Sequence, residues 1–231
     1  MTKDIFADRD IREKTLSRAD VVALAASGQP CALTDCDLEE ADLSRLDLAG
    51  WTFERCTLRR TNFTETRLEG SRWQSCRGAL SDFTGADLSE ARFLSGDFNN
   101  AAFRRARLGS ASFRGCKLTG ADLSDAKALD VVFEETLLIN AKLPAFSFRK
   151  LTLRRVDFSQ ADLRKSDFRQ TMFEDCSLRE ASLGGCHFDG ADLRGADLGG
   201  LRLVDAGLFR GATISREQAG QLLAELGLIV R

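Results

Sequence analysis

The chain has 231 residues, with 33 Lys and Arg against 35 Asp and Glu, one His, no Tyr and seven Cys. A net charge of −2 provides no basic surface for polyanions and no acidic tail, so direct nucleic-acid binding is not expected. No apolar run is long enough to span a bilayer and Met1-Thr2-Lys3-Asp4 does not open a signal peptide, which together predict a cytoplasmic protein without a membrane partner.

Residues 1–16 are charged and poor in apolar groups, and read either as a mobile arm or as a strand lying on the body. Ser17-Arg18-Ala19-Asp20 then offers a hydroxyl N-cap with an acid three residues on, the pattern of a helix start. Val21, Val22, Leu24 and Ala25 follow, and Gly28 with Pro30 ends the helix. Its apolar side is expected to cover the open end of the next segment.

From Leu33 to Leu208 every fifth residue is large and apolar, in one register. The series runs Leu33, Leu38, Leu43, Leu48, Phe53, Leu58, Phe63, Leu68, Trp73 and onward to Leu193, Leu198, Leu203 and Leu208. Of its 36 positions, 34 are Leu, Phe or Trp, and only Gly78 and Ala128 depart. A period of five fits neither a helix nor a strand, so the stripe belongs to an internal repeat. Two residues before each centre the side chain is small, as at Ala41, Thr61, Ser81, Ala86 and Ala121, and the residue between is often Asp. Each unit therefore sends one large and one small side chain inward and three outward.

Departures mark local features. Gly78 removes a centre, and oversized Trp73 just before it is the side chain expected to fill the gap. Leu46, Trp51, Phe146, Leu151 and Leu201 are too large for the small position, and read as widenings of the coil or as exposed apolar spots. Pro144, which has no amide to donate, lies in the same irregular stretch as Phe146. Since no insertion shifts the register, long projecting loops are not expected.

At the C-terminus Ser215-Arg216-Glu217-Gln218 forms a capping box. Ala219, Leu222, Leu223 and Leu226 then fall at the spacing of an amphipathic helix, Gly227 stops it, and Leu228-Ile229-Val230 is a terminal apolar run. That surplus of apolar surface predicts a homodimer joined at the C-terminal ends through Leu222, Leu223, Leu226, Leu228 and Ile229.

All seven cysteines (31, 36, 56, 76, 116, 176 and 186) occupy the small position. Cys36, Cys56 and Cys76 are twenty apart and would stack within disulfide reach on Cα distance alone, but a reducing compartment predicts small core thiols. His187 falls at an outward position, and neither a metal-ligand cluster nor a phosphate-cradling glycine loop is present. The sequence describes a non-enzyme with no catalytic residue, cofactor or metal.

The Ala-Asp-Leu units at 41–43, 86–88, 121–123, 161–163 and 191–193 resemble the pentapeptide-repeat family over about three quarters of the chain. The resemblance implies an all-β solenoid, a right-handed quadrilateral β-helix in which four pentapeptides make one 20-residue coil. About nine coils at roughly 4.8 Å each give a rod on the order of 43 Å long. The expected organisation is an arm and capping helix at 1–30, the β-helix at 31–212, and a capping and dimerisation segment at 213–231.

Within that family, the segment from Gly211 to Leu228 is similar to the dimer-forming end of the Qnr-type and MfpA-type quinolone-resistance proteins. The resemblance implies a DNA mimic that binds DNA gyrase or topoisomerase IV, with Asp37, Asp42, Asp47, Asp82, Asp87, Asp122, Asp162, Asp192 and Asp197 as the partner surface. The alternative is a scaffold rod with an unrelated protein partner. Surface charge separates the two, because a DNA mimic needs a continuous acidic stripe. Here Asp35, Asp37, Glu39, Glu40, Asp42 and Asp47 precede Arg55, Arg59 and Arg60, and a basic band runs from Arg149 to Arg169.

Overall fold

The structure is a computed structural model that describes residues 9–200, 207–224 and 227–229. It is a parallel β-solenoid of about nine coils with a short helix near each end. On one face the coils form true strands. These are β1 (Asp10–Arg12), β2 (Ala32–Thr34), β3 (Thr52–Glu54), β4 (Arg72–Gln74), β5 (Arg92–Leu94), β6 (Ser112–Arg114), β7 (Val132–Glu134), β8 (Thr152–Arg154) and β9 (Met172–Glu174), stacked in chain order as a nine-stranded parallel sheet. A short pair, β10 (Cys176–Ser177) with β11 (Ala196–Asp197), adds a second sheet. The other faces are held by single bridges that recur every twenty residues, such as Asp42↔Asn62 and Asn62↔Asp82.

The five-residue period closes a four-sided coil because each unit bends the chain at its end. Among the described residues the second residue after each centre, Gly195 excepted, has a positive φ, whether glycine or not: +51° at Arg55, +55° at Arg105, +65° at Lys165. Such backbone costs energy in isolation and persists here because the coils above and below fix every turn. The turns put backbone amides and carbonyls along the rod axis. The Thr52 amide donates to the Cys31 carbonyl at 2.9 Å and the Leu38 amide to the Thr57 carbonyl at 2.9 Å, and the pattern repeats along the rod.

Inside, the large residues form columns of rings. Phe53, Trp73, Phe93 and Phe113 stack face to face with centroid separations of 4.0, 5.4 and 4.6 Å. A second column, Phe63, Phe83 and Phe103, meets them edge-on. Each such pair contributes about 0.5–1.5 kcal/mol beyond the area it buries.

The gap at Gly78 is filled by Phe98, not by Trp73. A Cβ built on Gly78 would stand 2.5 Å from Cδ1 of Phe98, and one on Gly96 would stand 2.6 Å from its Cε2. Two glycines thus make room for the ring, Gly78 one coil away and Gly96 two residues before it. Trp51 and Phe146, oversized for the small position, are buried at 1% and 4% exposure and are not surface spots. Leu46 and Leu151 are partly buried against the core, and Leu201 lies outside the described residues.

Phe146 wedges the rod open. Its ring lies 4.8 Å from Phe148 and 6.0 Å from Phe133, and its amide donates to Ser166 Oγ, where Ala126 and Ser166 on the same face close a backbone turn to Leu123 and Leu163. Among the described residues, the amides of Ala128 and Asp130 reach no carbonyl of the next coil. Strands β7 and β8 share one residue pair, Glu134↔Arg154, where their neighbours share three. In the same stretch Ala128, small where a Leu belongs, is only partly buried, and Leu129 beside it is left 73% exposed.

Pro144 needs no irregularity. It occupies the first turn position after Leu143, ahead of Ala145 at φ +56°. Elsewhere the amide at that position donates to an Asp side chain two residues back. At 142 the residue is Lys, so no acceptor is wasted.

Both ends are capped. The helix α1 (Arg18–Ala25) starts at Ser17, whose hydroxyl and backbone pair with Asp20 as a capping box, and it buries Val21 and Leu24 on the rod end. Of residues 1–16, the described part from Arg9 onward is a strand segment, not a loose arm. Ile11 pairs with Leu33 and is buried, as is Leu16 five residues later. The inward series therefore begins one coil earlier than Leu33.

At the other end the register slips by one residue. Asp192 bridges Thr213, twenty-one residues on, and Phe209, not Leu208, stacks on Phe188 at 4.6 Å. The helix α2 (Arg216–Ala224) begins with the expected capping box: the Ser215 amide donates to Gln218 Oε1 at 2.7 Å, and the Gln218 amide to Ser215 Oγ at 3.1 Å. The Gln218 Nε2 group then donates to the carbonyls of Leu193 and Ala196, both at 2.7 Å. These bonds satisfy two carbonyls at the end of the rod.

Candidate interaction surface

Among the described residues no cluster of three metal-ligating side chains exists. His187 is exposed at its outward position. The cysteines are all free and buried. Five of the thiols, those of Cys36, Cys56, Cys76, Cys176 and Cys186, are packing groups that donate to carbonyls of the preceding coil, as from Cys76 to Phe53 at 3.2 Å and Cys186 to Leu163 at 2.9 Å. Burial pushes the Cys116 thiol up to about 11 and the Cys186 thiol up to about 12, so both are protonated and poor nucleophiles near neutrality. No helix among the described residues is long and apolar enough to cross a membrane. The surface that remains for function is the outside of the rod.

The nine aspartates named from the sequence do not form one stripe. Asp192 lies on the sheet face, Asp37 and Asp197 on the next, Asp42, Asp82, Asp122 and Asp162 on the third, and Asp47 and Asp87 on the fourth. In every one, Oδ1 accepts the backbone amide two residues on, at 2.8–3.2 Å. An Asp before a centre is thus a turn-forming residue, which is why the repeat favours it. Most are also neutralised. Asp47 pairs with Arg67 at 2.7 Å, Asp87 with Arg107 at 3.2 Å, and Asp162 and Asp192 with Arg164 and Arg194 at 2.6 and 2.5 Å. The guanidinium hydrogen bonds hold the Asp162 and Asp192 carboxyls below the usual carboxylate range.

The rest of the surface follows the same rule. Arg55 lies 2.8 Å from Asp35, Arg59 2.9 Å from Glu39, Arg60 3.1 Å from Glu40 and Arg154 2.7 Å from Glu174. Arg114 with Glu134 and Arg155 with Glu135 repeat the arrangement. Each pair links residues twenty apart in sequence, so charge cancels along each column. An exposed pair contributes only about 0.2–1 kcal/mol. The larger effect is electrostatic: no face is left as an unbroken acidic stripe.

At the C-terminal end Leu222 is half-buried, Leu223 is 37% exposed, Leu228 53% and Ile229 82%, whereas Leu226 lies outside the described residues. One other apolar and charged patch was not singled out from the sequence: Arg72, Arg92, Gln74 and Leu94 on the sheet face. Its signal was available, since each pair is twenty residues apart.

A coil of four five-residue units is the geometry of one family, and sequence profiles agree. The profile described as "Pentapeptide repeat region" matches residues 27–97, and that described as "Pentapeptide repeats (8 copies)" matches 80–120, 97–133, 116–144, 132–170 and 171–206. The chain belongs to the pentapeptide-repeat family. No curated protein sequence matches this pentapeptide-repeat chain. Among solved structures it is similar to HetL, a pentapeptide repeat protein involved in heterocyst differentiation regulation in the cyanobacterium Nostoc. That likeness has 22% identity and a TM-score of 0.65, over 81% of this chain and 86% of HetL. It is also similar to QnrB1, a plasmid-mediated fluoroquinolone resistance protein, with 20% identity and a TM-score of 0.54, over 96% of this chain and 97% of QnrB1. At these identities the likeness is one of fold.

Proposed function

We propose that this pentapeptide-repeat rod is a non-enzymatic protein-interaction scaffold of the cytoplasm, where its seven thiols stay reduced. The observation that carries the reading is the outer surface: rigid, regular, and charge-cancelled along its columns. Such a surface offers many side chains in fixed positions and no single dominant field. Cross-linking in cells tests this. Partners should be enriched over a rod of the same fold whose outward residues are replaced by Ser and Thr. Equal recovery from both rods would reject the proposal.

A second reading, DNA mimicry toward DNA gyrase or topoisomerase IV, is favoured by one observation: the apolar C-terminal end, where Leu223, Leu228 and Ile229 stand exposed. A homodimer through that end would cover these side chains and lengthen the rod. The dispersed aspartates count against mimicry. A supercoiling assay with purified gyrase, with and without a quinolone, decides it: no effect at micromolar protein removes this reading. Light scattering at tens of micromolar tests the dimer, and Leu228→Glu with Ile229→Glu should give a folded monomer.

A further inference from the structure

Along the sheet face, most charged rungs meet an opposite charge on the neighbouring coil. Arg55 has Asp35 and Arg154 has Glu174 at 2.7–2.8 Å, and Arg114 has Glu134. One place breaks the rule. Arg72 on β4 pairs in register with Arg92 on β5, and beside them Gln74 pairs with Leu94. Both arginines are exposed, and among the described residues neither has an ion-pair partner. Acids on adjoining turns do not compensate. Glu54 is held by Arg55, Glu69 by Arg67, and exposed Glu90 reaches neither. Like charges directly opposite on paired strands oppose folding. The two arginines thus leave neighbouring strands whose backbones run about 4.8 Å apart, on the same outward side and without an ion-pair partner among the described residues.

Beside the forks, Leu94 is 46% exposed, an aliphatic side chain where the same column elsewhere carries Glu54, Arg114, Glu134, Arg154 and Glu174. Arg72, Trp73, Gln74, Arg92 and Leu94 together line a shallow depression of about 370 Å3. Arginine and leucine here are two residues apart on a strand and point to the same side. An extended peptide crossing the rod has the same repeat, with alternate side chains about 6.6–6.8 Å apart on one side.

We infer that this depression is a docking site for an extended acidic-x-aliphatic segment of a partner protein. The acid's carboxylate seats between the guanidinium groups of Arg72 and Arg92, where planar forks can take both of its oxygens. The aliphatic side chain two residues on lies against Leu94, and Gln74 supplies a further donor and acceptor at the rim. The site rests on the scaffold reading and assigns it a face and a partner chemistry. It also accounts for the uncancelled arginines, since repulsion between them is relieved only when a carboxylate arrives.

The test uses the full chain and a fluorescein-labelled peptide with two Glu-Thr-Leu units, followed by fluorescence anisotropy. Binding is expected to weaken at least 10-fold in Arg72→Ser with Arg92→Ser, and by a similar factor when the peptide's Glu residues are replaced by Gln. Leu94→Ser should weaken it less, and Arg105→Ser with Lys117→Ser, which removes two other exposed cations, should leave it unchanged. A melting curve excludes unfolding as the cause: Arg72→Glu faces Arg92 and should melt no lower than wild type while losing the peptide. Equal binding by the double-arginine variant, or no binding at hundreds of micromolar, would overturn the site. If cross-linked partners in cells stay attached to the double-arginine variant, this site falls while the scaffold reading stands.

Discussion

The ring of Phe98 occupies the volume vacated by the missing side chain of Gly78, one coil away in the same column. The core is thus balanced between coils as well as within each. Restoring the consensus by Gly78→Leu should destabilise the rod by about 1–3 kcal/mol, because the added side chain meets an aromatic ring with no room to yield. Adding Phe98→Leu should recover much of the loss. Urea unfolding of the two variants checks this, and a more stable single variant would refute the account.

Phe113 is fully buried between Phe93 and Phe133, whereas its neighbour Arg114 is exposed and pairs with Glu134. Phe113→Ala should cost about 3–5 kcal/mol and Arg114→Ala about 0.5 kcal/mol or less. Equal melting temperatures for the two would contradict the inward register.

The inward register, the capping box at Ser17, the buried cysteines and the C-terminal cap were legible because each is a local pattern in sequence. Other features were not, because they depend on what lies twenty residues away. Trp73 was the obvious filler for Gly78 by proximity, yet the neighbour that counts is Phe98. The aspartates resembled a charged surface until their bonds to amides two residues on became visible. Ile11 and Leu16 carried the five-residue spacing but were masked by charged neighbours and a two-residue offset from the main series.

Gln218 ties helix α2 to the rod through the carbonyls of Leu193 and Ala196. Replacing it by Leu keeps the volume and strands two buried acceptors, at a cost of about 1–3 kcal/mol. Hydrogen exchange should show the last coil and α2 opening first. Unchanged protection there would argue against the cap.

The thiols set an alkaline limit. Burial raises Cys116 to about 11 and Cys186 to about 12, above the ordinary value of 9.0. Groups with a raised folded-state value stabilise fully below the unfolded value and lose that contribution as pH climbs through the folded one. Stability should therefore be flat with respect to these groups up to pH 9 and decline from there toward 12. Cys116→Ala with Cys186→Ala should shallow the decline, and thiol reagents should label the native protein at pH 8 far more slowly than the unfolded chain.

The opening beside Phe146 divides the ladder between the coil of Ala128 and the coil of Phe148. Amides of residues 128–131 should exchange with solvent far faster than those of residues 101–108. Phe146→Ala with Ala128→Leu returns both positions to the pattern and should slow that exchange. Fast exchange persisting in the double variant would assign the opening to another cause.

A coil of twenty residues gives every position an angle about the rod as well as a height along it. Removing or adding twenty residues shortens or lengthens the molecule and leaves each side chain facing the direction it faced before. A change of five preserves the core equally well, since one centre replaces another, but turns everything downstream by a quarter revolution. Arg154 would no longer stand beneath Glu134, nor would β8 continue the sheet. Chain length in such a protein is thus quantised twice, in fives for folding and in twenties for keeping its faces. Drift of the second kind can redirect a surface without costing the fold.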